Sequence, residues 1–257
     1  MLIDTHCHLT SKSNEEIAEI ISRAKAADVN KMICIGAGVG GHLATPRAVE
    51  IAELFPEVYA TAGIHPQDAG KEISMELTEK FAAHPRVVAV GETGLDYYRD
   101  WSPFAAQRAE FAAQIAIARN VKKPLVIHSR DALEDTIEIL KRERANEVGG
   151  VFHCFSGSRE TIDRIRDLGF IVSFTGIVTF KASQELRNTI EAMPEGSFML
   201  ETDCPYMAPE PFRGKDSEPA HVRQIAERIA QVRGVSLADI SDQTTATAKQ
   251  LFVDITQ

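Results

Sequence analysis

The chain has 257 residues, 44% hydrophobic and 25% charged, enough to bury a sizeable core without disulfide staples. Its formal net charge of −9 argues against a broadly basic nucleic-acid-binding surface, so a polyanionic substrate would have to be attracted locally, by a metal centre and a few placed cations. No apolar run reaches the length of a membrane span and no signal-like segment opens the sequence, which makes a cytoplasmic protein the expectation. The four cysteines, Cys7, Cys34, Cys154 and Cys204, are widely spaced and read as reduced core residues.

In chain order, apolar β-branched runs at Leu2 to Thr5, Lys31 to Ile35, Val58 to Ala62, Val87 to Gly91, Pro124 to His128, Val151 to Cys154, Ile171 to Phe174 and Phe198 to Glu201 predict eight strands. Amphipathic stretches between and after them predict helices at Glu15 to Ala27, Ala44 to Leu54, Pro103 to Arg119, Ala132 to Arg144, Thr161 to Leu168, Ser183 to Ala192, Ala220 to Arg233 and Leu237 to Phe252. Strand and helix in alternation imply parallel strands. Eight such units in one domain spanning 1–257 fit an α/β (β/α)8 TIM barrel better than a doubly wound sheet, whose glycine fingerprint is missing from Gly36 to Gly41. That glycine cluster reads as a flexible loop. The Pro- and charge-rich stretch Asp203 to Pro219 reads as an active-site loop.

Histidines and carboxylates recur at the predicted strand ends. His6 and His8 share a face because side chains alternate along a strand. Glu92 ends the fourth run, His128 the fifth and His153 the sixth, and Asp203 follows the eighth. In a barrel these ends form one ring, so the six residues converge at its mouth. Six ligands exceed the need of one tetrahedral ion, and two divalent cations are expected. Glu92 is the candidate bridge, with His6, His8 and Asp203 on one ion and His128 and His153 on the other. Asp4 and Glu201 share the parity of His6 and Asp203 and are expected to orient imidazoles from behind. Arg213 and Lys215 supply either a phosphate clamp or a solvated loop, and His65 and Arg130 are similar candidates for substrate contact. Tyr97, Tyr98 and Trp101 either stack on a base or cover the barrel top. His42, His84 and His221 are expected on the surface, and Asp131 as a helix cap.

The ordered set His6-x-His8, Gly63-Ile-His65-Pro66, Gly91-Glu92-Thr-Gly-Leu-Asp96-Tyr-Tyr98, His128-Ser-Arg130-Asp131, His153-Cys-Phe155-Ser and Glu201-Thr-Asp203-Cys-Pro205-Tyr206 resembles the TatD family of metal-dependent hydrolases, within the amidohydrolase superfamily. The resemblance implies a metal-containing barrel and a deoxyribonuclease that removes nucleotides from DNA 3′ ends. It places metal binding on His6, His8, Glu92, His128, His153 and Asp203, and it supports substrate roles for His65 and the Arg213-Gly-Lys215 segment. Cys204 departs from the serine common in related chains. The implied mechanism is metal-assisted hydrolysis, in which a water between two cations loses a proton near neutral pH and attacks phosphorus, with Asp203 accepting or relaying that proton. Zn, Mn, Mg, Fe and Ni all suit these ligands. A D-aminoacyl-tRNA deacylase, or another ester or amide hydrolase on the same centre, is the alternative, and a non-catalytic metal-binding protein a third. A monomer is the default expectation.

Overall fold

In a computed structural model, which describes residues 1–38, 41–71 and 74–256, eight parallel strands each pair with the next in chain order. They are β1 (Leu2–Cys7), β2 (Val29–Cys34), β3 (Val58–Ala62), β4 (Val87–Asp96), β5 (Leu125–Arg130), β6 (Gly150–Phe152), β7 (Phe170–Phe174) and β8 (Phe198–Leu200). The α-helices among the described residues are α1 (Asn14–Ala26), α2 (Ala44–Leu54), α3 (Met75–Ala82), α4 (Phe104–Val121), α5 (Leu133–Arg142), α6 (Arg159–Asp167), α7 (Gln184–Glu191), α8 (Val222–Arg233) and α9 (Leu237–Leu251). The circle closes where β1 meets the segment after β8. The Asp203 N–H donates to the His6 carbonyl at 2.9 Å and the His8 N–H to the Cys204 carbonyl at 2.8 Å. This is the expected (β/α)8 barrel.

Alternation along the strands divides the core in two. Ile3, Ile33, Tyr59, Val88, Val126, Val151, Ile171 and Met199, one from each strand, pack into a common interior cluster with Phe252 and Ile255 from the chain's end. Leu2, Met32, Val87 and Leu125, on opposite parity to their inward neighbours, pack into the cluster that contains the helix residues Ile17, Phe111 and Ile225. The interior is therefore a filled core, closed by Phe252 at the end away from the functional loops.

The structure departs from the sequence expectation in several places. Helix α3 was not anticipated; it has only eight residues, and its start is marked by Ser74, whose Oγ accepts from the Leu77 N–H at 3.2 Å. Strand β4 continues past Gly91 to Asp96, so Glu92 lies within the strand and not at its end. Gly91 and Gly94 are both needed for close strand approach. A Cβ on Gly94 would lie 2.0 Å from the His128 carbonyl oxygen, and its φ of +134° is itself unfavourable for other residues. Strand β5 likewise runs two residues beyond His128, to Arg130. Finally, Asp131 does not cap α5: it has φ +55°, and Ala132 holds the cap position without a side-chain bond. Residues 39–40 of the glycine-rich loop and the His42 side chain fall outside the described residues.

Because Phe252 is completely buried in the barrel floor, Phe252→Ala is expected to cost about 3–5 kcal/mol, the usual range for such a truncation. Thermal unfolding should show a Tm lower by roughly 10 °C.

Candidate metal centre

The seam between β1 and β8 places three of the expected ligands together. His6 and His8 both turn Nε2 toward Asp203, and their Nε2 atoms are 3.3 Å apart. His6 Nε2 lies 3.6 Å and His8 Nε2 3.4 Å from Asp203 Oδ1, while Glu92 Oε2 lies 3.4 Å from His6 Nε2 and 3.8 Å from His8 Nε2. His6, His8 and Asp203 lie close enough together to hold a cation, with Glu92 beside the two imidazoles, and nitrogen and carboxylate oxygen are donors that zinc-sized cations accept. The donor set fits a divalent metal.

The other oxygen of Glu92 faces a second group. Glu92 Oε1 is 2.8 Å from His128 Nδ1, 2.8 Å from His153 Nε2 and 3.3 Å from His65 Nε2. One buried carboxylate thus stands between two sets of imidazole nitrogens. Burial pushes the Glu92 carboxyl up, but the charge of His153 and the bonds from His128 and His153 outweigh it and hold the group well below its ordinary value. Asp203 shows the same balance: burial raises it, while the His8 bond and the charges of His6 and His153 bring it below the usual carboxylate range. Among the described residues, buried His6 Nδ1, His8 Nδ1 and His153 Nδ1 have no hydrogen-bond partner.

His65 sits against Glu92 and His128 closely enough for the three to hold a cation, but its chemistry argues otherwise. The Gln67 N–H donates to His65 Nδ1 at 3.1 Å, so the neutral ring carries its proton on Nε2 and presents a donor there, not a lone pair.

The residues behind the ligands differ in part from expectation. Glu201 faces His153, with Oε1 3.6 Å from Nδ1, and is itself held by the Cys154 N–H and the Ser173 hydroxyl, each at 2.6 Å. Burial lowers the affinity of His153 for a proton, yet the charges of Glu92 and Glu201 carry it well above its ordinary value. Asp4, in contrast, orients main chain and not an imidazole. It accepts from the Thr202 N–H at 2.9 Å, the Thr202 hydroxyl at 2.6 Å and the His6 N–H at 3.3 Å. The strand pairing shifts between Asp4 and Cys7, which breaks the parity that would relate Asp4 to His6. Burial pushes the Asp4 carboxyl up to about 8 against the bonds from Thr202 and His6.

Sequence reasoning overlooked Asp96, which lies beyond the predicted end of its strand. Its fully buried carboxylate supports the centre from the β4 side. Oδ2 is 3.2 Å from His128 Nε2 and accepts from the Gln67 amide at 2.7 Å, while Oδ1 accepts from the N–H groups of Tyr98 and Arg99. Burial raises Asp96, but the His128 and Gln67 bonds prevail and lower it to about 2. The signal available in the sequence was its parity with Glu92, four residues earlier on the same strand.

The remaining candidates are outside this cluster. Arg130 is exposed at the end of β5, with its guanidinium 3.7 Å over the Tyr98 ring. Arg213 is exposed and stacks on Phe180 at 3.8 Å, and Lys215 is exposed two residues on. His221 is buried and not on the surface, because Phe212 stacks on its ring at 4.2 Å. His84 is half-buried, with Nε2 3.2 Å from Glu53.

The sequence pattern of the family described as TatD related DNase matches residues 3–253. The chain belongs to this family. It is 41% identical over 255 residues to the metal-dependent hydrolase YabD of Bacillus subtilis, covering 98% of this chain and 99% of that protein. It is 33% identical over 260 residues to the 3′-5′ ssDNA/RNA exonuclease TatD of Klebsiella pneumoniae, covering 98% and 97%. The crystal structure of the TatD homolog YJJV from Escherichia coli K12 superposes with a TM-score of 0.87 at 27% identity over 98% of both chains. The chain is thus a TatD-type metal-dependent hydrolase with a barrel architecture shared by its relatives. Among the described residues, no helix is long and apolar enough to cross a membrane.

In the metal-free protein, His128 is raised: burial lowers it, and the bonds to Asp96 and Glu92 more than compensate. A raised histidine stabilises the fold fully below its unfolded-state value, and that contribution is lost as pH rises through the folded-state value. Asp96→Asn is expected to bring His128 down, moving this loss to lower pH. Imidazole NMR titration of the metal-free variant checks the direction.

Proposed function

We propose that this chain is a divalent-metal-dependent phosphodiesterase that removes nucleotides from the 3′ end of single-stranded DNA. The observation that carries the reading is the placement of Glu92, whose two oxygens face separate sets of histidine nitrogens. Such an arrangement suits two neighbouring cations, and paired cations are a common solution for hydrolysing phosphate diesters. His6, His8 and Asp203 would hold one with Glu92, and His128 and His153 the other. Bound there, divalent cations would offset charge on the scissile phosphate and lower the pKa of a water toward about 7.

The chain's own groups supply the rest. Asp203, fully charged in its pocket, accepts the proton of the attacking water. His65 directs its Nε2–H into the centre and donates to a phosphate oxygen. Glu201 and Asp96 keep the rings of His153 and His128 in place, and Asp4 holds the main chain of His6 against Thr202. Arg213 and Lys215, in the loop after β8, receive the phosphates of the strand. The relative from Klebsiella pneumoniae, named as a single-strand DNA and RNA exonuclease over nearly its whole length, supports this substrate.

With Mn²⁺ or Mg²⁺ added, the protein is expected to release mononucleotides from single-stranded DNA while leaving D-aminoacyl-tRNA intact. Release of amino acid from the tRNA without any DNA product would overturn the assignment. Asp203→Asn should lower kcat by about 100-fold or more, the scale of a lost general base, with a smaller change in KM. Replacing both His6 and His8 by Ala should reduce bound metal from two ions per chain to one, as read by elemental analysis of the purified protein; loss of both, or of neither, contradicts the division of ligands.

A further inference from the structure

The loop after β4 presents aromatic rings to solvent beside the centre. Trp101 is 63% exposed and Tyr98 55%, whereas soluble proteins usually keep such large apolar surfaces covered unless they meet a partner. The loop is nevertheless firmly held. Asp96 accepts from the Tyr98 and Arg99 N–H groups at 3.1 Å each, and the buried Gln107 side chain bonds the Asp96 main chain and Ser102. Cations lie over the rings: the Arg130 guanidinium is 3.7 Å from the Tyr98 centroid, and that of Arg99 is 5.0 Å from Tyr98 and 5.1 Å from Trp101. Both supports of this surface lead to one ligand. Arg130 follows His128 by two residues on β5, hence on the same face, and the carboxylate that anchors the loop is 3.2 Å from His128 Nε2.

We infer that Tyr98, Trp101, Arg99 and Arg130 form a stacking platform for an unpaired base of a single-stranded nucleic acid, setting the register of the strand over the metal centre. This rests on the phosphodiesterase reading and names how its substrate is selected. Aromatic and guanidinium planes accept any base by its face, which gives binding without sequence preference. The two arginines add local positive charge on a chain of net charge −9. A base within a duplex already stacks on its neighbours and is denied the platform, so the surface discriminates single strands from double strands.

Trp101 is the chain's only tryptophan, so its fluorescence reports the platform directly. The metal-loaded protein is titrated with phosphorothioate-linked oligo(dT), which resists cleavage, and cleavage of ordinary oligo(dT) is followed in parallel. Saturable quenching of Trp101 is expected, with binding about tenfold weaker in Tyr98→Leu, the scale of one lost stacking contact, and a matching rise in KM. A duplex of the same length should quench far less. Cleavage without quenching, or quenching equal for duplex and single strand, overturns the platform while leaving the phosphodiesterase intact. Quenching without cleavage of any nucleic acid supports the platform and overturns the phosphodiesterase.

Discussion

Closure of the barrel is the constraint on which the site depends. Two main-chain hydrogen bonds at the seam, from Asp203 to His6 and from His8 to Cys204, join the first strand to the segment after the last. The same bonds set the spacing of three metal-competent side chains. Buried polar backbone must be paired, so the fold cannot complete its ring without also bringing the histidine pair to the aspartate. Asp4 reinforces the seam from one layer below by accepting from both the hydroxyl and the N–H of Thr202.

A second constraint is electrostatic. Glu92, Asp203, Glu201 and Asp96 are all buried, and isolated buried carboxylates are expensive unless paired or hydrogen-bonded. Here each is answered by imidazole nitrogens, hydroxyls or backbone N–H groups. The order runs outward from Glu92: imidazoles surround it, and a further carboxylate stands behind His128 and His153 in turn. This layering leaves Glu92, Asp96 and Asp203 ionised where cations would be needed to balance them.

Much of this was legible in the sequence, for definable reasons. The placing of His6, His8, His153 and Asp203 at or just past strand ends follows from short apolar runs, and the barrel itself follows from strict alternation with amphipathic helices. What was not legible involved exceptions to simple periodicity. The predicted fourth strand stops at Gly91, yet the missing side chains of Gly91 and Gly94 are what let β4 approach β5 and extend, which carries Asp96 to His128. The irregularity between Asp4 and Cys7 redirects Asp4 from an imidazole to the seam, and no count of residues reveals a shifted register. His221 showed only a polar residue at a helix start; its burial depends on Phe212, nine positions away, folding over it.

The seam also sets an order of events during synthesis. His6 is made well before its partner Asp203, which lies almost 200 residues later, and the floor residue Phe252 is later still. Contacts so distant in sequence form slowly, because a long loop must close before they give any stability. A nascent chain therefore carries its histidine pair without Asp203 until the segment after β8 has been made, whereas Glu92, His128 and His153 can meet much earlier. The two halves of the centre are separated in time as well as in space, and the half built on the seam can form only when the barrel itself is complete.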